Sequence, residues 1–145
     1  MNQPVDIEAF IKQNGFFMNT IVGSSMYPML RSKRDAVLIR PYEGRLKKYD
    51  VPLYKVGEEY VLHRIIKVLP DSYIIRGDNR MDKEYGITDQ DILGVLTSFY
   101  RQEKQIGVKD WQYQIYVRVW HYGFPLRLLY KKCRSVAGKI KRRLK

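Results

Sequence analysis

The spacing of apolar residues predicts a short helix at the start of the chain and strands after it. Over residues 4–18, apolar side chains recur at helical spacing, and Asp6 stands in the position of an N-cap. From Thr20 onward, short runs rich in β-branched and aromatic residues alternate with turns containing proline or glycine, which is typical of strands. The predicted strands are 20–22, 36–40, 51–54, 60–69, 73–76 and 92–100.

The last part of the chain returns to helical spacing. From Asp110, aromatic residues crowd together, with Gly123 and Pro125 interrupting them. Beyond Pro125, apolar residues recur three or four positions apart, with Lys and Arg between them. This pattern predicts a basic amphipathic helix with an aromatic segment before it.

Length and composition limit the chain to one packed domain. A chain of 145 residues with 45% hydrophobic and 13% aromatic residues can form a core, which excludes global disorder. The single cysteine, Cys133, excludes an internal disulfide framework and a cysteine-rich zinc site. We therefore predict a mainly β core over residues 20–104. A short N-terminal helix within residues 1–19 precedes it, and an aromatic and basic C-terminal appendage, residues 105–145, follows it.

The net charge of +12 belongs almost entirely to the C-terminal third of the chain. Residues 1–100 contain 14 Lys and Arg against 13 Asp and Glu, whereas residues 101–145 contain 13 Lys and Arg against two acids. Nucleic-acid-binding domains carry basic residues across a folded face, so a nearly neutral core argues against nucleic acid as a partner. The basic residues of the C-terminal segment 131–145 are Lys131, Lys132, Arg134, Lys139, Lys141, Arg142, Arg143 and Lys145.

The segment 131–145 has three interpretations: a solvated helix or disordered end, a membrane-surface anchor, and a nucleic-acid contact. The first two are favoured equally. Membrane attachment is plausible energetically, because each basic residue near an anionic leaflet contributes about 1 kcal/mol and an apolar helix face adds to it. The sequence has no run of 18 apolar residues and no secretory signal at its N-terminus. We therefore expect an intracellular protein, either free or peripheral on the cytoplasmic membrane.

Three segments carry residues suited to nucleophilic chemistry. GSSMYPML (23–30) places serines in a proline-limited turn, VLHRII (61–66) places His63 in an apolar run, and IIRGDNRMDKEYGI (74–87) places acids after a strand. Each segment alone has a structural explanation: a solvated serine, a half-buried strand histidine, and a polar turn that bonds its own backbone. Neither His63 nor His121 has a second histidine at metal-ligand spacing, so we predict no metal site and no cofactor.

Together, and in this order, the three segments resemble those of the type I signal peptidases and the related LexA-like self-cleaving repressor peptidases. The resemblance runs over about residues 20–100, with 92–96 as the closing strand. It implies that Ser25, which directly precedes Met26, is the nucleophile. It also implies that His63 is the base, as in the endoplasmic-reticulum and archaeal subtype, where the common bacterial enzyme has lysine.

The resemblance leaves the orienting acid open among Asp78, Asp82 and Glu84. Asp78 matches the family's Gly-Asp, whereas Glu84 stands near the place where the histidine subtype has aspartate. A histidine, with an ordinary pKa of about 6.5, needs almost no adjustment to act as a base near neutral pH, whereas a lysine needs a shift of about three units. Histidine does gain from an acid that fixes its tautomer.

The expected oxyanion donor is the backbone N–H of Ser25. By resemblance, Gly23 stands where some relatives have a serine hydroxyl for this purpose, so one donor is absent. Gly23, Ser24 and Met26 are expected on the substrate and oxyanion side of the site.

The sequence thus predicts a serine endopeptidase that cleaves an extended leader- or signal-type peptide by a Ser–His mechanism assisted by an acid. By resemblance, small side chains precede the cleaved bond. The chain departs from its relatives in two ways: it has no transmembrane segment, and only about 20 residues precede the nucleophile segment, too few for a DNA-binding helix-turn-helix. The alternative is a catalytically inert peptide-binding or membrane-surface module with the same fold.

Overall fold

The computed structural model describes residues 6–143, so Lys145 of the predicted basic segment lies outside the described residues. The elements are α1 (Ile7–Asn14), β1 (Phe17–Thr20), β2 (Asp35–Arg40), β3 (Pro52–Val56), β4 (Glu59–Leu62), β5 (Arg64–Val68), β6 (Tyr73–Arg76), β7 (Glu84–Ile87), a 3-10 turn (Asp89–Asp91), β8 (Ile92–Arg101), β9 (Lys104–Gly107), α2 (Trp111–Tyr122) and α3 (Phe124–Arg143).

The strands form two antiparallel sheets that curl into a half-barrel. The larger sheet has the order β1-β2-β8-β3-β4, with β9 paired to β8. The smaller sheet has the order β5-β6-β7. The predicted mainly β fold with a short N-terminal helix and a C-terminal basic helix is confirmed.

The first helix is shorter than predicted. Asp6 caps it as expected, since its Oδ1 accepts a hydrogen bond from the N–H of Ala9 at 3.2 Å. The helix ends at Asn14, because Gly15 takes a left-handed conformation (φ 76°) and its N–H bonds the Ile11 carbonyl. The chain then enters β1 at Phe17, so the strand that we predicted at 20–22 lies earlier.

The predicted strand 60–69 is two strands that belong to different sheets. β4 pairs with β3 in the larger sheet, and β5 pairs with β6 in the smaller one. His63 lies between them, at the point where the chain crosses from one sheet to the other. The apolar run contains no glycine or proline there, so the sequence does not indicate the break.

Two strands and one helix were not predicted. β7 and β9 are short segments without clear apolar alternation, and their pairing with β6 and β8 comes from tertiary contacts. The aromatic segment forms α2. Tyr113 and Val117 of this helix are buried in the main hydrophobic cluster, together with residues of α1, β2, β3 and β8.

A buried ion pair joins the smaller sheet to α2. The Arg64 guanidinium on β5 donates two hydrogen bonds of 2.8 Å to the carboxylate of Asp78, and both side chains are only 3% exposed. Two tyrosines of α2 add hydrogen bonds to the pair. The Tyr113 hydroxyl accepts one of 2.9 Å from Arg64, and the Tyr116 hydroxyl donates one of 3.1 Å to the carboxylate of Asp78. Trp120 adds a bond of 2.8 Å from its indole N–H to the Asp78 carbonyl.

Removing one partner of this pair should destabilise the fold strongly. In Asp78→Ala the Arg64 charge stays buried without its counterion, so we expect the free energy of unfolding in urea to fall by about 3–5 kcal/mol. The control is Asp82→Ala, which removes an exposed pair with Arg80 and should change the free energy of unfolding far less, because surrounding water screens this pair. Equal losses in the two variants would contradict the role of the buried pair.

Candidate active site

The predicted nucleophile lies in the loop that follows β1. Ser25 is half-buried, and the next residue, Met26, is 3% exposed and anchored in the core. Gly23 adopts φ 97°, a left-handed conformation that favours glycine, and its N–H donates to the Ser32 hydroxyl at 3.1 Å. The loop is therefore held on both sides of Ser25, by the hydrogen bond of Gly23 before it and by the buried side chain of Met26 after it.

The turn after β6 holds this loop from the other side. The N–H of Asn79 donates to the Ser25 carbonyl at 2.8 Å, and its side-chain amide donates to the Ser24 carbonyl at 3.2 Å. A Cβ atom on Gly77 would lie 2.7 Å from the Ser25 carbonyl oxygen and 3.1 Å from His63 Cδ2. Gly77 therefore separates the serine loop from the histidine, and no larger residue fits between them.

His63 is bound through one ring nitrogen to Glu84. The ring is at the junction of β4 and β5 and is 7% exposed. Its Nδ1 lies 2.7 Å from Glu84 Oε1 at the start of β7 and 3.1 Å from the Tyr54 hydroxyl of β3. Tyr54 itself donates to Glu84 Oε2 at 2.5 Å. One residue from the larger sheet, on β3, and one from the smaller sheet, on β7, thus position the imidazole.

This arrangement assigns the tautomer of His63. An ionised carboxylate only accepts hydrogen bonds, so the bond to Glu84 places a proton on Nδ1, and in the neutral imidazole Nε2 is then the nitrogen that can accept a proton. Burial, reinforced by the hydrogen bond to Glu84, raises the pKa of Tyr54 far above its ordinary value. Tyr54 therefore stays protonated and acts as a donor to the carboxylate.

The other candidate acids are engaged elsewhere. Both carboxylate oxygens of Asp78 bind Arg64, so this acid acts on the fold of the turn that carries Gly77 and Asn79. Asp82 pairs on the surface with Arg80, which lowers the pKa of the Asp82 carboxyl. Of the three acids left open by the sequence, the structure brings Glu84 to the imidazole.

Ser25 and His63 line the same groove. This groove has a volume of about 480 Å³, and residues of α1 and of four strands of the larger sheet, β1, β2, β3 and β4, line it. Its walls include residues of β1 and β4, the two end strands of the β1-β2-β8-β3-β4 order. Gly23 and Met26 also line it, and Arg80 stands at its rim.

Two residues of the site were missed by the sequence analysis. In the sequence Tyr54 is an ordinary strand residue. Its hydrogen bond to Glu84 in the folded protein shows that it belongs to the site. Arg64 did carry a signal, because it is a charged residue within the apolar run of His63. A buried arginine calls for a carboxylate, and Asp78 follows the next strand.

The basic residues predicted at the C-terminus lie exposed on α3. This holds for Lys131, Lys132, Arg134, Lys139, Lys141, Arg142 and Arg143. The same helix and α2 expose a line of apolar residues three or four positions apart, which we name the apolar seam. The seam consists of Trp111, Ile115, Val119, Tyr122, Leu126, Leu129, Cys133, Val136 and Ile140. Gly123, between the helices, keeps a right-handed helical conformation, so the seam continues from α2 to α3.

No protein-family model matches this sequence, and no curated protein matches it. Among residues 6–143, no helix combines the length and the hydropathy needed to cross a membrane. The same part of the chain contains no group of three or more His, Cys, Asp or Glu side chains placed to hold a metal ion.

Proposed function

We propose that the protein is a serine endopeptidase, similar to the type I signal peptidases, in which Ser25 is the nucleophile, His63 the general base and Glu84 the orienting acid. The observation that carries the proposal is the bond of 2.7 Å from His63 Nδ1 to Glu84, on a ring that shares its groove with Ser25. A bound carboxylate holds the base in the tautomer that nucleophilic catalysis needs.

The reaction follows from these roles. The Ser25 hydroxyl oxygen attacks the peptide carbonyl carbon while its proton passes to His63 Nε2. The backbone N–H of Ser25 stabilises the oxyanion, and His63 then gives the proton to the leaving amine as the peptide bond breaks. Water, activated by the same imidazole, hydrolyses the acyl-enzyme and restores the serine. Glu84 stabilises the imidazolium that forms in each step.

The groove favours an extended peptide as substrate. β1 and β4 are end strands of the larger sheet, and such strands offer unpaired backbone N–H and C=O groups to an added strand. Apolar side chains such as Ile21, Leu30 and Leu53 line the groove, so it suits small or apolar side chains before the cleaved bond. A leader- or signal-type peptide segment has this character.

An inert peptide-binding module with the same fold is the competing proposal. Binding a peptide along β1 and β4 requires the groove and its strand edges alone. Peptide binding does not require a half-buried carboxylate hydrogen-bonded to a buried histidine. Such a pair costs free energy, because both polar groups lose water when they are buried. The Glu84–His63 pair beside Ser25 therefore favours the enzyme.

Single substitutions separate the two proposals. With a fluorogenic leader-type peptide carrying alanine before the cleaved bond, Ser25→Ala and His63→Ala should each lower kcat/KM by at least about 10³-fold. Glu84→Gln should lower kcat with little change in KM, because it disturbs the base and leaves the groove intact. The control is Ser135→Ala on the exposed face of α3. Full activity in Ser25→Ala would end the assignment.

We further propose that α2 and α3 attach the protein reversibly to an anionic membrane surface through the apolar seam and the basic residues beside it. Along α3 the charged residues are all Lys or Arg. Such a helix lies in the plane of the lipid headgroups, with its apolar side inward and its cations on the phosphates. Pairing of two seams from two copies would bring these like charges together, which disfavours a dimer.

Vesicle sedimentation of the full chain tests this attachment. Leu129→Glu combined with Ile140→Glu places carboxylates in the seam and should weaken binding to vesicles containing phosphatidylglycerol by at least about tenfold. Gln112→Glu combined with Ser135→Glu adds the same charge at exposed positions off the seam and should have a much smaller effect. Equal binding by all three proteins would refute the attachment.

A further inference from the structure

A second cavity lies on the far side of the smaller sheet, against the junction of α2 and α3. It has a volume of about 370 Å³. Lys67, Arg76, Lys83 and His121 supply its polar walls, and Asp and Glu are absent from its lining. The apolar walls are Ile66, Ile74, Tyr122, Phe124 and Pro125. A cavity walled by cations and apolar groups suits an anion that carries some carbon.

Arg76 is a buried cation without a counterion. It is 7% exposed, and its guanidinium stacks on the Phe124 ring with its central carbon 3.5 Å from the ring centroid. Within residues 6–143 it makes no salt bridge and no side-chain hydrogen bond. The nearby carboxylate of Asp78 is already bound by Arg64 and Tyr116. The donors of Arg76 thus remain available to the cavity.

Positive charge predominates around the cavity, since the nearby carboxylate of Asp78 is already paired with Arg64. Burial, and then the neighbouring charge of Arg127, lowers the pKa of Arg76. Burial, followed by the charges of Lys48 and Arg76, likewise lowers the pKa of His121. Lys67 comes from β5 and Lys83 from the loop before β7, and both are exposed at the mouth. A neutral His121 can still donate one hydrogen bond, so it too suits an anion.

The charge of Arg76 is mostly buried and has no bound carboxylate, which costs free energy. An anionic ligand that neutralises this charge would therefore stabilise the folded protein. The planar guanidinium fits phosphate, because two parallel N–H groups reach two phosphate oxygens. Phe124 holds that plane in place, so little conformational entropy is lost when an anion binds. Lys67 and Lys83 add long-range attraction at the mouth.

We propose that this cavity binds a phosphate group, with Arg76 as its main ligand and Lys67, Lys83 and His121 as its surroundings. The phosphate belongs to a soluble phosphorylated compound or to the headgroup of an anionic phospholipid. Tyr122 lines the cavity and is also part of the apolar seam, so the cavity borders the seam. The site goes beyond the proposed peptidase function, and its test needs no peptidase activity.

Calorimetric titration of the full chain with inorganic phosphate and with glycerol 3-phosphate tests the soluble source. Sedimentation with vesicles of phosphatidylcholine, with and without phosphatidylglycerol, tests the lipid source. The variants are Arg76→Met and Lys83→Met, and the control is Lys104→Met, which removes one exposed charge on β9. Whichever of the two binds, the soluble phosphate or the phosphatidylglycerol vesicle, we expect its affinity to fall at least about tenfold in Arg76→Met, less in Lys83→Met, and little in the control.

Thermal stability in phosphate-free buffer is a second measurement, in which the Arg76→Met variant is expected to lose nothing although it loses binding. Since Arg76 is buried and unpaired, Arg76→Met should leave the unliganded protein at least as stable, whereas the binding anion should raise Tm in the wild type and not in the variant. Soluble binding lost in Arg76→Met identifies a phosphorylated compound, and loss confined to phosphatidylglycerol vesicles identifies the lipid. Binding of neither, or equal losses in Arg76→Met and Lys104→Met, would overturn the site.

Discussion

The buried pair of Arg64 and Asp78 is the interaction on which the rest of the structure depends. It joins β5 to the turn after β6, and it is enclosed by the tyrosine hydroxyls of α2. Burial opposes the charge of Arg64, but Asp78 and Tyr113 more than compensate and raise its pKa, so it stays ionised. Because neither charge has water around it, the geometry of the turn is tied to the position of α2.

The candidate active site inherits its geometry from this pair. Asp78 lies between Gly77, which packs against both Ser25 and His63, and Asn79, which bonds the serine loop. Arg64 directly follows His63, so the pair also fixes the point at which the chain crosses between the sheets. Ser25 and His63, which the sequence places about 40 positions apart, therefore lie on either side of Gly77. The Gly-Asp-Asn turn would serve the proposed chemistry by holding the serine loop in place, and of the three candidate acids Glu84 is the one that contacts His63.

Much of the fold was predictable from local patterns, since apolar periodicity located α3 and the cores of β2, β3, β6 and β8. Tertiary contacts decided the rest. The break at His63 has no turn residue, and β7 and β9 are held by their partner strands. The choice between Asp78 and Glu84 was also beyond local reasoning, because it depends on which acid Arg64 neutralises. Composition located the basic segment. The apolar seam could not be traced back into α2 from the sequence, because that requires knowing which aromatic side chains of α2 pack inward.

The most direct test of the central claim is covalent labelling of the full chain with a fluorophosphonate, followed by mass spectrometry of the digested protein. We expect one adduct, on the peptide containing Ser25, and slow or absent labelling in His63→Ala and Glu84→Gln, since both lose the oriented base. An adduct on another serine, or equal labelling of Ser25 in His63→Ala, would contradict the account.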